Sequence, residues 1–278
     1  MVRRHVPQRF FCAQKRAYLD PTVSMAHVLR HHQVTAADLG LRPTVIVSLV
    51  PPLARRLFRQ CGTPAPAALR VLHQPLYNPE RAFFSCIASP MGAPMAAMLL
   101  EQLIALGGRR FLYLGFCGAL QPELRIGDLF LPTRALREEG TSYHYLPPTV
   151  EPAAAERLTA VLQAQAHGGG LRLHPGVIWT TDAPYRETRA KIRRFQAAGV
   201  AAVDMEMAAL FAVARYRQCE VAALLVVSDE CYHPVWRPGF GAPSLRQACQ
   251  QAVALALEAA AAIAALPDPG VDGERRIR

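Results

Sequence analysis

Apolar and polar positions come in short blocks that switch between a two-residue and a 3.6-residue period, predicting strands and helices in turn. Residues 44–50 (TVIVSLV) form a β-branched run closed by Pro51 and Pro52, and the helix-like ARRLFRQC follows. Residues 82–88 (AFFSCIA) predict a second strand. A helix is expected from about 94 to 105, with proline in its first turn and Gly107 and Gly108 at its end. The strand predicted at 111–114 (FLYL) runs into a glycine loop at 115–118, and 128–131 and the stretch from 136 predict two further strands, with a turn over 138–140. Then come an alanine-rich helix (about 150–166), a strand (173–181), a basic helix (186–198), a short extended piece (201–203), a helix (205–217) and a buried strand (220–227) ending at Ser228 and Asp229. A long alanine-rich helix closes the pattern, from an N-cap at Ser244 to about 266.

Strands alternating with helices predict an α/β protein, a three-layer α/β/α arrangement around a mixed, twisted central sheet. Connections are short and no Gly/Ser or charged linker divides the chain. One domain is therefore expected over 44–267, with an N-terminal extension at 1–43 and a C-terminal tail at 268–278.

The chain has 278 residues, 51% hydrophobic and 19% charged, enough for a substantial core and unlike a disordered or collagen-like chain. Its formal charge of +10 is almost all arginine, because only Lys15 and Lys191 are lysines. Such a balance suits nucleic acid, an acidic membrane surface or an anionic small molecule. The densest basic stretch, with Arg3, Arg4, Arg9, Lys15 and Arg16, lacks the apolar centre of a signal peptide. No aromatic-basic repeat accompanies it or Trp236-Arg237, so no nucleic-acid partner is expected. The apolar stretch 252–266 is interrupted by Glu258, closed by Pro267 and too short for a bilayer. The seven cysteines contain no CxxC pair, so reduced thiols and a cytoplasmic location are expected rather than a disulfide framework. The histidines are too scattered for a metal site, and none is expected.

Candidate chemistry sits where apolar runs end, because ligands of α/β sheets bind at strand ends. Four places qualify: 115–118, 137–145 (REEGTSYHY), 203–206 (VDME) and 228–230 (SDE). Asp204 and Glu206 open a helix, where negative charge is favoured by about 0.3–1 kcal/mol, so dipole compensation is one reading and ligand binding the other. Asp229 at the mouth of a buried strand is equally open to a structural role or to proton donation in a partly dry cleft.

Taken together, the ordered segments GFCGAL, IGDLFLP, REEGTSYHY, VDMEMAAL and LLVVSDE resemble the nucleoside phosphorylase and nucleosidase superfamily, in its uridine phosphorylase-like branch, over about 44–266. The resemblance implies a nucleoside phosphorylase-like fold, a homo-oligomer, and cleavage of a purine or pyrimidine nucleoside by phosphate to free base and pentose 1-phosphate. Phosphate is then a co-substrate, with no metal or organic cofactor. By position, it implies that Glu206 holds the ribose hydroxyls, with Met205 packing on the sugar and Met91 near it. Asp229 would protonate the leaving base with help from Arg246, and Tyr185 and Arg186 would contact the base. A histidine near the N-terminus, His27, His31 or His32, would reach a neighbouring subunit's site.

The departure lies at the phosphate. The family's PGDPxR loop reads SLVPPLAR at 48–55, with no glycine and the arginine displaced to Arg55 or Arg56. Tyr113 stands where the second arginine belongs and Phe116 where a hydroxyl belongs. A dianion needs cations or donors, so the expected substitutes are Arg55, Arg56, Arg137 and Arg186 with the backbone at Gly115. The alternatives are a phosphate-independent nucleosidase using water, or a protein that binds a nucleoside without turning it over.

Overall fold

The computed structural model describes residues 10–14, 17–62, 70–71 and 74–267; Arg3, Arg4, Arg9, Lys15, Arg16 and the tail from 268 lie outside it. The chain runs α1 (Pro21–His31), α2 (Ala36–Leu39), β1 (Thr44–Ser48), α3 (Pro51–Cys61), β2 (Arg70–Val71), β3 (Gln74–Tyr77), β4 (Phe84–Ala88), α4 (Ala93–Ala105), β5 (Arg110–Ala119) and β6 (Leu129–Glu138). It continues through α5 (Ser142–Tyr145), α6 (Glu156–Gly168), β7 (Leu173–Thr181), a 3₁₀ turn (Pro184–Arg186), α7 (Arg189–Ala197), β8 (Ala202–Asp204), α8 (Met207–Arg217), β9 (Glu220–Glu230), β10 (Arg237–Pro238) and α9 (Pro243–Ala264).

The strands form one mixed sheet in the order β10-β9-β6-β7-β8-β5-β1-β4-β3-β2. β5 also pairs in parallel with β9, so β5, β9, β6, β7 and β8 close into a ring while β1, β4, β3 and β2 extend from it. Strand alternation divides the core between two faces. Val45, Val47, Phe111 and Tyr113 face a cluster with α4 and α8, whereas Ile46, Leu112 and Leu114 face one with α3, α6 and α9. A smaller cluster of Trp179, Phe195, Val203 and Cys231 fills the ring side beneath α7. Met25 of α1 and Leu39 of α2 are buried in the first cluster. No helix among the described residues is long and apolar enough to cross a membrane.

Several boundaries differ from the sequence expectation. Pro51 and Pro52 open α3 rather than merely preceding it, since the first turn of a helix has no use for their missing N–H groups. Residues 115–118 are not a loop but the end of β5, paired with β9 and β8. Gly115 is closely packed there: a Cβ would lie 3.0 Å from Leu49 Cδ1 and 3.1 Å from Leu225 Cδ2. The two strands expected at 128–131 and from 136 are one, β6, which passes Pro132 by a register shift against β7. The basic helix begins three residues later than expected, after the 3₁₀ turn, with Thr188 accepting the Lys191 N–H as its cap. The last helix has Ala242, not Ser244, at its N-cap.

Candidate active site

A cleft of about 790 Å³ opens at the ends of β5, β8 and β9 and is walled by 184–189 on one side and 233–240 on the other. Its floor depends on an irregularity in β9. Cys117 faces Val227 and Gly118 faces Asp229, so Ser228 is the extra residue of a bulge. Its hydroxyl takes up the local polar groups, lying 3.3 Å from the Cys117 carbonyl and 2.7 Å from Asp229 Oδ1. Gly118 is squeezed between two strands: a Cβ there would lie 3.0 Å from both Asp229 Oδ2 and Cys231 Sγ. Asp229 Oδ2 also accepts from Trp236 Nε1 at 2.8 Å and Cys231 Sγ at 3.3 Å. The carboxylate is thus held from three directions beside the cleft.

The VDME segment divides its two acids between two tasks. Asp204 caps the start of α8: its Oδ2 accepts the N–H groups of Glu206 (2.8 Å) and Met207 (2.7 Å), and its Oδ1 accepts Thr180 Oγ1 (2.6 Å). Thr180 Oγ1 in turn accepts the Ala208 N–H at 3.0 Å. Helix-terminus compensation therefore describes Asp204. Glu206 turns into the cleft, where Oε1 accepts the Gly92 N–H at 2.7 Å, a donor presented by a backbone at φ 94 that favours glycine. Burial, and then the neighbouring Asp204 charge, push Glu206 up to about 8. Burial likewise pushes Asp204 up to about 6.

Among the sequence candidates, Glu206, Met205, Met91, Asp229 and Tyr185 share this cleft, Tyr185 as a fully exposed rim residue. Arg186 is exposed next to that rim but does not line the cleft, and Arg246 is exposed on the first turn of α9, also away from the wall. The proposed phosphate ligands are not gathered there. Arg55 and Arg56 lie on α3 outside the cleft, and Gly115 is packed under Leu49. Arg137 is buried and spends its guanidinium on the chain itself: Nε meets Ser142 Oγ at 2.8 Å, Nη1 the carbonyls of Pro147 and Val150, and Nη2 that of Leu146. Where the resemblance places a phosphate, the wall is Leu49, Val50 and Phe116. Tyr113, on β5 opposite Val47 of β1, is fully buried in the cluster with α4 and α8, with its hydroxyl unpartnered among the described residues.

Sequence reasoning missed Trp236, Cys231 and Ser228 as partners of Asp229, and Glu187 and Arg189 on the facing wall. The available signal was the aromatic segment CYHPVWRPGF directly after VSDE, and the charged residues Glu187 and Arg189 just after Pro184-Tyr185-Arg186. In all, four carboxylates (Glu187, Asp204, Glu206 and Asp229) and one arginine, Arg189, line the cleft among the described residues. His233 also lines it, with Nε2 2.8 Å from Glu230 Oε2.

Comparison with known proteins gives this site a context. The model of the phosphorylase superfamily matches residues 62–265. A guanosine phosphorylase of Halorubrum lacusprofundi is 35% identical over 139 residues, 49% of this chain and 57% of that protein, so the match spans little more than half of the relative. A uridine phosphorylase of Salmonella typhimurium is 28% identical over 187 residues, 61% of this chain and 72% of that protein. In fold, the chain is similar to a purine nucleoside phosphorylase of Toxoplasma gondii (TM-score 0.73, 20% identity, 84% of this chain and 95% of that one). It is similar also to an AMP nucleosidase of Bacteroides thetaiotaomicron (TM-score 0.71, 21% identity, 87% and 96%).

Proposed function

The chain belongs to the phosphorylase superfamily, and from that premise we propose that it cleaves the N-glycosidic bond of a nucleoside. The observation that carries the proposal is the joint placement of Glu206 and Asp229 on one cleft of nucleoside size. Glu206 accepts from the ribose hydroxyls, with Met205 and Met91 against the sugar. Its charge and that of Asp204 favour the positive character that grows at C1′ as the bond to the base lengthens. Asp229, oriented by Trp236, Cys231 and Ser228, hydrogen-bonds the departing base and supplies its proton.

The acceptor the geometry supports best is water. An apolar wall of Leu49, Val50 and Phe116, within a cleft bearing four carboxylates against Arg189, disfavours a phosphate dianion. The water oxygen bonds to C1′ while the electron pair of the C1′–N bond leaves with the base; Asp229 gives its proton to the base, and the proton that the water loses restores Asp229. This scheme uses no metal or organic cofactor. Phosphorolysis is the second reading, favoured by relatives named guanosine phosphorylase and uridine phosphorylase and by Arg189 as a cation on the cleft. Base release from a nucleoside panel with and without phosphate distinguishes the two. Equal rates support hydrolysis, a strict phosphate requirement supports phosphorolysis, and binding without release under either condition refutes catalysis.

A further inference from the structure

The seven cysteines are all free thiols, and two of them meet. Cys61 is the last residue of α3 and Cys86 the third of β4, and their sulfurs lie 3.2 Å apart although 25 positions separate them in sequence. Neither lines the cleft.

The contact follows from the two periodicities. Leu53, Leu57 and Cys61 fall four apart on α3 and share its buried face. Phe84 and Cys86 alternate to that side of β4, whereas Ile87 enters the opposite cluster. The helix row therefore ends on the strand row, sulfur against sulfur. Other contacts hold the two elements in place: Cys86 stands opposite Ile46 of β1 and Tyr77 of β3, and Tyr77 stacks on Phe58 of α3 with centroids 4.1 Å apart. A disulfide sets its sulfurs about 2.0 Å apart, so closure requires an approach of about 1.2 Å.

The two thiols also differ in reactivity from the rest. Burial pushes the thiols of Cys117, Cys219, Cys231 and Cys249 up, away from the nucleophilic thiolate. Cys61 moves the other way, because a hydrogen bond with Cys86 favours its thiolate, while burial keeps the proton on Cys86. Cys61 is also the more accessible of the pair, at the end of a helix, where local opening is easiest.

We propose that Cys61 and Cys86 form a redox site, a reversible disulfide that locks the end of α3 to β4. With a peroxide as oxidant, the Cys61 thiolate takes one oxygen to become a sulfenic acid and the other oxygen leaves as hydroxide. The Cys86 sulfur then bonds to the Cys61 sulfur, and the Cys86 proton leaves with the sulfenic hydroxyl as water. The thiol pair loses two electrons and the peroxide gains them. A small dithiol reverses the bond by thiol–disulfide exchange. The crosslink closes the stretch that carries β2 and β3 and restricts the unfolded chain, so the bridged protein is the more stable form. This inference is independent of the nucleoside reading.

The test treats reduced full-length protein with hydrogen peroxide, alkylates the remaining thiols in denaturant and maps the peptides by mass spectrometry, with exposed Cys12 as the internal measure of oxidant. The expected product is a linked pair of peptides bearing Cys61 and Cys86, lighter by two hydrogens and separated again by dithiothreitol. Cys117, Cys231 and Cys249 should be alkylated as in untreated protein. Cys86→Ser should stop at a Cys61 sulfenic acid that dimedone captures, and Cys61→Ser should form no link. Oxidised wild type is expected to melt about 4 °C or more above the reduced form, a difference lost on reduction. Cys61 and Cys86 still free once Cys12 is oxidised, or either linked to another cysteine instead, overturns the site. A bridged protein that melts no higher than the reduced one overturns the lock. Both readouts are made on wild type, so they hold even where a serine variant fails to fold.

Discussion

Asp204 Oδ2 accepts the backbone N–H of Glu206 at 2.8 Å, so the acid that caps α8 also holds and electrostatically opposes the acid that faces the cleft. An unfolded glutamate ionises near 4.5, whereas folded Glu206 keeps its proton to about 8. Between those values the native state binds more protons than the unfolded chain, and stability falls as pH rises. Asp204, raised to about 6, contributes in the same direction over a lower and narrower window. Glu206→Gln cannot ionise and retains an acceptor for Gly92. It is expected to be more stable than wild type at pH 8.5 by about 1–3 kcal/mol and similar at pH 4. Urea melts at the two pH values check this, and parallel pH profiles for the two proteins would contradict it.

The same group bears on ligand binding. Ribose hydroxyls donating to Glu206 favour its ionised form, so binding near pH 7 is expected to release a proton and to tighten as pH rises toward 8. Calorimetry of one nucleoside in buffers of different ionisation enthalpy measures the proton count. A buffer-independent heat, together with unchanged affinity in Glu206→Ala, removes Glu206 from the sugar site.

Trp236 Nε1 is a donor to Asp229 from a segment 56% exposed at that residue, so it orients the acid without being part of the core. Trp236→Phe keeps a ring on the cleft wall and deletes the donor. Under the proposed reaction, kcat should fall about tenfold, the scale of one hydrogen bond to a charged group, with the melting temperature nearly unchanged. A change confined to KM would assign Trp236 to base stacking instead.

Gly118 leaves no room for a side chain between Asp229 and Cys231. Gly118→Ala is expected to displace Asp229 or force β8 away from β5, costing about 1–3 kcal/mol and most of the activity. Thermal melting and base-release assays give the two readouts. A fully active, fully stable variant would mean that the strands yield without moving the acid.

Tyr113 carries a hydroxyl that is buried and unpartnered among the described residues. Tyr113→Phe is expected to stabilise the protein by about 1 kcal/mol and to leave base release unchanged, since the ring fills the same space and the hydroxyl does not line the cleft. A destabilised variant would indicate that the hydroxyl is satisfied in solution.

Much of this architecture is legible in the sequence because it depends on local pattern. Alternation along 44–48, 110–114 and 220–227 sets which side chains enter each core cluster, and the ordered segments from GFCGAL to LLVVSDE point to the family that the superfamily match supports. What local pattern does not carry is direction at the strand ends and the contacts between distant segments. Glu206 meets Gly92 across 114 residues, and the bulge at Ser228 aligns Asp229 with Gly118 rather than continuing the regular register. Arginines are the plainest case. In sequence, Arg137 is a cation beside a ligand-like motif, and only the fold shows its guanidinium consumed by Ser142 and three backbone carbonyls. Likewise Arg186 and Arg189 are equivalent in composition, yet the 3₁₀ turn and the Thr188 cap bring one to the cleft and leave the other outside it. A residue type specifies what a side chain can bind, whereas long-range packing determines whether its polar atoms are already satisfied and therefore whether a ligand has anything to meet.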